Sequence, residues 1–370
     1  MKYYILAGEA SGDLHGSNLI KALRKVDSNA DIRCWGGDLM QDAGGHLVKH
    51  YKERAFMGFS EVLMNLRKIF KLISFCKGDI ANFKPDVVVF IDNSGFNLRI
   101  AKWAKASGFK TNYYISPQVW ASRASRVKAI KRDIDKMFVI LPFVKPFYKS
   151  YGYDVEFVGH PLIDAIANRT QVNPKLFRKT HNLSEKPIIA LLPGSRKQEI
   201  TKMLSVMLSI INDFPAYQFV IAGAPSQDLE FYQSFIKHND VKFISNKTYD
   251  LLSVSYAALV TSGTATLETA LFKVPQVVCY KGSTISYHIA KRIITLKFIS
   301  LVNLVMDKEV VTELIQNDFN KKRLKKELEH ILDDDKRSTM FSDYYELEQK
   351  LGGKGASEKT AKLIYNALKS

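Results

Sequence analysis

The chain has 370 residues, 46% of them hydrophobic and 25% charged, which is enough for two hydrophobic cores and excludes a disordered or fibrous protein. Its 54 Lys and Arg against 37 Asp and Glu leave a net charge of +17, which calls for an anionic partner: nucleic acid, an acidic membrane surface or a phosphorylated substrate. Cys34, Cys76 and Cys279 lack metal-ligand spacing and read as reduced core residues, and no uninterrupted apolar run reaches membrane-spanning length.

Met1 leads at once into a short apolar strand without the pattern of a signal peptide, so a cytoplasmic location is the expectation. Strands are expected at 3–7, 30–36, 87–91, 111–115 and 136–140, with helical periodicity between most of them. Glycine and proline in Val158-Gly159-His160-Pro161, followed by a polar stretch, place a boundary near residue 165. The scheme then repeats with strands at 188–192, 218–222, 241–244, 258–261 and 276–280. From about Asn320, Lys, Glu and Asp at helical spacing predict surface helices. The alternation gives an α/β fold with two Rossmann-like domains, 1–165 and 166–370. Two such domains facing a central cleft correspond, by analogy of fold, to the GT-B glycosyltransferase architecture.

Four strand-to-helix turns carry polar residues suited to chemistry. The first is Ala7-Gly8-Glu9-Ala10-Ser11-Gly12-Asp13-Leu14-His15-Gly16, where glycines let backbone approach a ligand. Glu9, Ser11, Gly12, Asp13 and His15 are candidate contacts to an acceptor substrate, and a purely structural turn is the competing explanation. The second turn follows Val87–Ile91 and presents Asp92, a carboxylate at the edge where such sheets bind ligands. Asp92 suits a general base that takes a proton from an attacking hydroxyl, or else a simple helix cap.

The third turn, Pro193-Gly194-Ser195-Arg196, brings backbone N–H groups and a guanidinium together and suits a diphosphate; a solvated Arg is the plainer alternative. The fourth, Ser262-Gly263-Thr264, has Glu268 one helical turn beyond Thr264. Hydroxyls and a carboxylate there suit phosphate and ribose, while an ordinary N-cap with an exposed Glu would look the same. His160 reads as structural.

In this order and spacing, the motifs resemble those of the lipid-A-disaccharide synthase family, a bacterial group, from the first strand to about Gln316. Further stretches that carry the resemblance are Met57-Gly58-Phe59-Ser60-Glu61-Val62-Leu63, Tyr114-Ile115-Ser116-Pro117-Gln118-Val119-Trp120-Ala121 and Ser300-Leu301-Val302-Asn303-Leu304. The resemblance implies an inverting transfer of 2,3-diacylglucosamine from UDP-2,3-diacylglucosamine to 2,3-diacylglucosamine 1-phosphate, giving a β-1,6-linked disaccharide 1-phosphate and UDP. It implies Asp92 and Arg196 as essential residues, and Gly194, Ser195, Ser262, Gly263, Thr264, Glu268, Asn303 and Gln316 around UDP. The second domain is then the donor side and the first the acceptor side. No metal or cofactor is implied, and a homodimer is compatible with the family. Three positions depart from its pattern: Gly95 stands in place of a second acidic residue, Val144 in place of a Glu, and Ser122 in place of a Trp.

Residues 55–77 combine Phe56, Phe59, Leu63, Leu66, Phe70 and Ile73 at helical spacing with Arg67, Lys68, Lys71 and Lys77. Such a helix can lie on anionic lipid, and acylated substrates favour that over a core helix with a solvated basic face. The expected partner is therefore the anionic inner-membrane surface, contacted peripherally. A second basic run, Arg123, Arg126, Lys128, Lys131 and Arg132, is a candidate for holding the acceptor phosphate. Two competing functions remain. A UDP-sugar 2-epimerase would share the fold but not a lipid-facing helix. A nucleic-acid-binding protein would explain the charge, yet the sequence holds no recognised nucleic-acid motif.

Overall fold

A computed structural model of the chain describes residues 1–54, 66–122, 124–224, 227–236, 240–282 and 297–369. Two compact units emerge: Met1–Ala167 together with Leu351–Ser370, and Asn168–Lys350.

The first unit contains β1 (Lys2–Leu6), β2 (Asp31–Gly36), β3 (His46–His50), β4 (Val87–Ile91), β5 (Lys110–Tyr114), β6 (Lys136–Val139) and β7 (Glu156–Phe157). They form one parallel sheet in the order β3-β2-β1-β4-β5-β6-β7. The second unit contains β8 (Ile188–Leu192), β9 (Gln218–Gly223), β10 (Val241–Ser245), β11 (Ala257–Thr261), β12 (Gln276–Tyr280) and β13 (Glu313–Ile315). Its parallel order is β10-β9-β8-β11-β12-β13.

The central strands are apolar throughout because helices cover both faces of a parallel sheet: every residue of β4, β8 and β11 is buried. In the first core, Tyr3, Ile5, Val87 and Val89 pack with Leu19, Ile20 and Leu23 of the Ala10–Val26 helix. In the second, Ile188, Ala190, Val220, Ala258 and Val260 pack with Leu251 and Leu252. Burial of each larger aliphatic side chain contributes about 1.5–3 kcal/mol. Strands β3, β7 and β13 carry no long apolar run and were not expected; as short strands at or near the rims of the sheets they need few ladder bonds and little burial.

The expectation of a second domain running from 166 to 370 needs correction at its far end. The Ala356–Lys369 helix puts Ala361 and Ile364 into the first core. Asp164 receives its entry, accepting the N–H groups of Gly355 at 2.6 Å and Ser357 at 3.2 Å, and His160 N–H donates to Leu351 O at 2.8 Å. An amphipathic helix announces that it will pack but not on which core. Among the described residues, no helix is long and apolar enough to cross a membrane.

Candidate active site

In both sheets the strand order reverses at one place, between β1 and β4 in the first and between β8 and β11 in the second. Ligands of open parallel sheets bind outside the carboxyl ends of the strands at such a switch point. The turns after β1 and β4 carry Gly8, Glu9, Asp92 and Asn93; those after β8 and β11 carry Gly194, Ser195, Arg196, Ser262, Gly263 and Thr264. The expected residues thus fall into two groups, one per sheet.

At the first edge the backbone is strained. Asp92 and Asn93 both sit at φ +44, and Ile115, just past β5, at φ +63. Left-handed conformations in residues other than glycine cost on the order of 1–3 kcal/mol each and persist only where the surroundings enforce them. Here Asn97, fully buried, points its Nδ2 at Asp92 O at 2.9 Å, Ile91 O at 3.1 Å and Leu6 O at 3.4 Å. The Tyr113 hydroxyl also donates to Asp92 O. Gly8 lies so close to Asn93 that a Cβ would fall 2.0 Å from its Nδ2. The Asp92 side chain itself remains exposed. The protein crowded around it raises its pKa, the Glu9 charge adds to the rise, and the Asn93 amide opposes it. A carboxylate shifted upward in this way is a stronger base for a sugar hydroxyl than a free aspartate.

The acceptor-loop candidates separate. Glu9 and Ser11 are exposed, while Gly12 packs on Ala7, whose Cβ would lie 3.1 Å from a Cβ at that position. Asp13, expected as a ligand contact, is buried and caps backbone: it accepts the N–H groups of Gly37 at 2.7 Å, Met40 at 3.0 Å and Leu39 at 3.2 Å. His15 is buried, its Nδ1 without a partner among the described residues, and burial lowers its pKa to about 4. His160, also buried, accepts Leu162 N–H at 3.2 Å, and burial with His15 nearby lowers its pKa to about 3. Both rings are neutral at physiological pH.

At the switch point of the second sheet, the turns run through glycines. Gly194 sits at φ +107 and Gly263 at φ +151, conformations that a side chain would resist. Arg196 is the exposed N-cap residue of the Lys197–Leu208 helix, and no carboxylate pairs with it among the described residues. Glu199 folds back so that its Oε2 accepts Ser195 N–H at 3.3 Å. Ser262 donates to Ile299 O at 3.0 Å, and Gly263 and Thr264 are exposed. Glu268 accepts the Tyr249 hydroxyl at 3.0 Å; burial raises its pKa and that hydrogen bond opposes the rise. Gln316, at φ +55, keeps a buried Nε2 without a partner among the described residues.

Asn303, expected near UDP, serves in this structure as an internal brace. It is fully buried, donates to Val311 O at 2.8 Å and Glu313 at 3.0 Å, and accepts from Val310 at 2.8 Å and Val311 at 3.0 Å. Sequence reasoning missed Asn97, Tyr113 and Tyr249, whose parts depend on pairing between elements.

The expected membrane contacts Phe56, Phe59 and Leu63 lie outside the described residues. Arg67, Lys68 and Lys71 are exposed on the Leu66–Phe83 helix, as are Phe70 (62%) and Phe75 (52%), whereas Ile73 turns inward and does not share their surface. In the second basic run Arg126, Lys128, Lys131 and Arg132 are exposed, Arg132 pairing with Asp133 at 2.6 Å; Arg123 lies outside the described residues.

Comparison with known proteins decides between the remaining functions. The lipid-A-disaccharide synthetase family matches residues 3–366. The lipid-A-disaccharide synthase of Syntrophus aciditrophicus is 39% identical over 99% of this chain and 97% of its own length, and that of Coxiella burnetii is 36% identical over 98% of each. The chain belongs to the lipid-A-disaccharide synthase family. It is accordingly a glycosyltransferase of lipid A biosynthesis, acting with a nucleotide-sugar donor and a lipid acceptor. Family membership sets aside the epimerase and nucleic-acid readings. The UDP-GlcNAc 2-epimerase of Neisseria meningitidis bound to UDP-GlcNAc shares the fold with a TM-score of 0.68 at 14% identity, over 100% of this chain and 99% of that one. The fold is thus the GT-B one of two Rossmann-like domains.

Proposed function

We propose that this family member transfers 2,3-diacylglucosamine from UDP-2,3-diacylglucosamine to the 6-hydroxyl of 2,3-diacylglucosamine 1-phosphate with inversion at the sugar carbon. The acceptor oxygen attacks C1 of the donor as its proton passes to the Asp92 carboxylate. The bond from C1 to the diphosphate oxygen breaks, and its electron pair leaves on UDP. Arg196 and the amides that open the Lys197–Leu208 helix meet the charge that develops on the leaving diphosphate. Exposed Thr264 and the Glu268 carboxylate take the remaining phosphate and ribose contacts, and Gln316 offers an amide that has no partner among the described residues.

The observation that carries this reading is Asp92: an exposed carboxylate at a switch point, with its pKa raised, on a backbone held in a strained conformation. The test is UDP release from the donor with and without the monosaccharide 1-phosphate. Acceptor-dependent release that disappears in Asp92→Asn supports the assignment. Release indifferent to the acceptor would overturn the transfer reading, and full activity in Asp92→Asn would place the base elsewhere.

The enzyme is further proposed to work at the cytoplasmic face of the inner membrane, because both substrates carry acyl chains. Supporting this, Phe70 and Phe75 are exposed on a helix that also exposes Arg67, Lys68 and Lys71. Apolar rings and basic side chains on one element match an anionic lipid surface. Flotation with anionic vesicles at low salt tests it: the wild type should float and Phe70→Ser/Phe75→Ser should float less. A wild type that stays in solution would count against it.

A further inference from the structure

Strands β4 and β5 pair in register, Phe90 against Tyr113 and Ile91 against Tyr114, so Tyr113 leaves its strand beside the last residues of β4. Its ring packs against Phe90 with centroids 5.8 Å apart. Tyr113 and Asn97 are both fully buried, and both turn their donors toward main-chain oxygens at the mouth of the sheet. The Asp92 carbonyl receives the Tyr113 hydroxyl and, at 2.9 Å, Asn97 Nδ2. Asn97 also reaches Leu6 O at 3.4 Å, which ties the end of β1 to the end of β4 across the switch point.

These contacts sit where the chain is least comfortable. Two successive left-handed residues take the Asp92 carbonyl out of the β-ladder, so an enclosed oxygen there needs donors from side chains. Without such donors the turn would relax toward a commoner backbone conformation, and rotation about Asp92 would swing its carboxylate.

The geometry points to Tyr113 and Asn97 as positioning residues for the transfer: their shared grip on the Asp92 carbonyl holds the left-handed turn, and the turn sets where the Asp92 carboxylate points. This rests on the reading of Asp92 as the base. Neither residue touches substrate; both act through Asp92. The groups that bear on the carboxylate are Glu9 from the turn after β1 and the Asn93 amide, and its charge in turn helps raise the pKa of the buried Tyr113 phenol on β5. A carboxylate that swings away from the crowded edge and from Glu9 returns toward ordinary aspartate acidity. Loss of the grip therefore moves the acidic limb of the rate profile to lower pH.

The test is Tyr113→Phe in the full-length protein, which removes one hydroxyl from an otherwise unchanged ring. Acceptor-dependent UDP release should show kcat down by about tenfold, KM for both substrates within about twofold, and the acidic limb displaced downward. In an Asp92→Asn background the same change should add nothing, because both act on one group. An equal fold-loss in both backgrounds, or a Tyr113→Phe enzyme with wild-type kcat and pH profile, would overturn the inference. Should circular dichroism show Tyr113→Phe unfolded, Asn97→Ser is read by the same criteria. Full activity in Asp92→Asn alone would remove the base assignment and this inference together; a silent Tyr113→Phe in an enzyme that depends on Asp92 would remove only the inference.

Discussion

The two switch-point edges share a topology and solve different problems. At the first, three residues other than glycine, Asp92, Asn93 and Ile115, are left-handed, and buried Asn97 and Tyr113 grip the Asp92 carbonyl. At the second, Gly194 and Gly263 make the turns at the switch point itself, the left-handed residues other than glycine, Asn246 and Gln316, lying past the rim strands, and Arg196 stands exposed without a carboxylate partner among the described residues. An attacking proton acceptor must be aimed, and strain held by a surrounding network aims it. A diphosphate is met by amides and a flexible cation, for which close backbone approach matters more than a stored conformation.

That contrast is broken most directly at its two chemical centres. Asp92→Asn should lower kcat by about 10³-fold, the range for losing a positioned general base, with KM little changed. Arg196→Ala should lower kcat/KM by about 10²-fold, and Arg196→Lys should recover only part of it, because a point charge cannot reproduce the guanidinium fork. Steady-state UDP release against donor concentration measures both. If Asp92→Asn acted mainly on KM, or Arg196→Lys behaved as wild type, the division into an aimed base and an electrostatic receptor would fail.

Why the centres were legible in the sequence while their supports were not follows from the same physics. Val87–Ile91 and Ile188–Leu192 are uninterrupted apolar runs, so the polar residues next after them had to lie at a sheet edge. The structural partners of Asp13 and Asn303 were not legible either, because only the fold brings Gly37, Met40, Val310 and Val311 to them. Tyr113 was illegible for a related reason. Its hydroxyl reaches Asp92 O only through the β4–β5 register, which no local spacing encodes. The return of Leu351–Ser370 to the first unit likewise depends on Asp164 and on which core has room.

The glycines sharpen the contrast at a smaller scale. A Cβ on Gly8 would lie 2.0 Å from Asn93 Nδ2 and 2.8 Å from Asn93 Cβ, so no simple side-chain rotation relieves the clash. Gly8→Ala should therefore disturb the Asp92–Asn93 turn and lower kcat. A Cβ on Gly194 would meet the far end of Glu199 at 2.3 Å, which can swing aside, but the residue sits at φ +107. Gly194→Ala should cost about 1–3 kcal/mol of stability and raise donor KM with less effect on kcat. Thermal melting and steady-state kinetics on the pair would separate the effects; a common pattern in both variants would erase the distinction between the edges.

The faintest expected difference lies in how acid acts on the first unit, where His15 and His160 are buried near one another. Their pKa values of about 4 and about 3 lie below the 6.5 of a free imidazole, chiefly because burial penalises the charged ring. The unfolded chain consequently binds more protons than the folded one between about pH 6.5 and those values. Stability is full above that window and falls as pH drops through it. His15 is the cleaner probe, since its Nδ1 has no partner to lose among the described residues. His15→Leu should therefore reduce the fall in Tm between about pH 7 and about pH 5, by an amount on the order of 1 kcal/mol in unfolding free energy. An unchanged fall would mean that the ring is protonated in the folded protein or that acid acts first on the second unit. Either result would shift the acid-sensitive element away from the unit that carries Asp92.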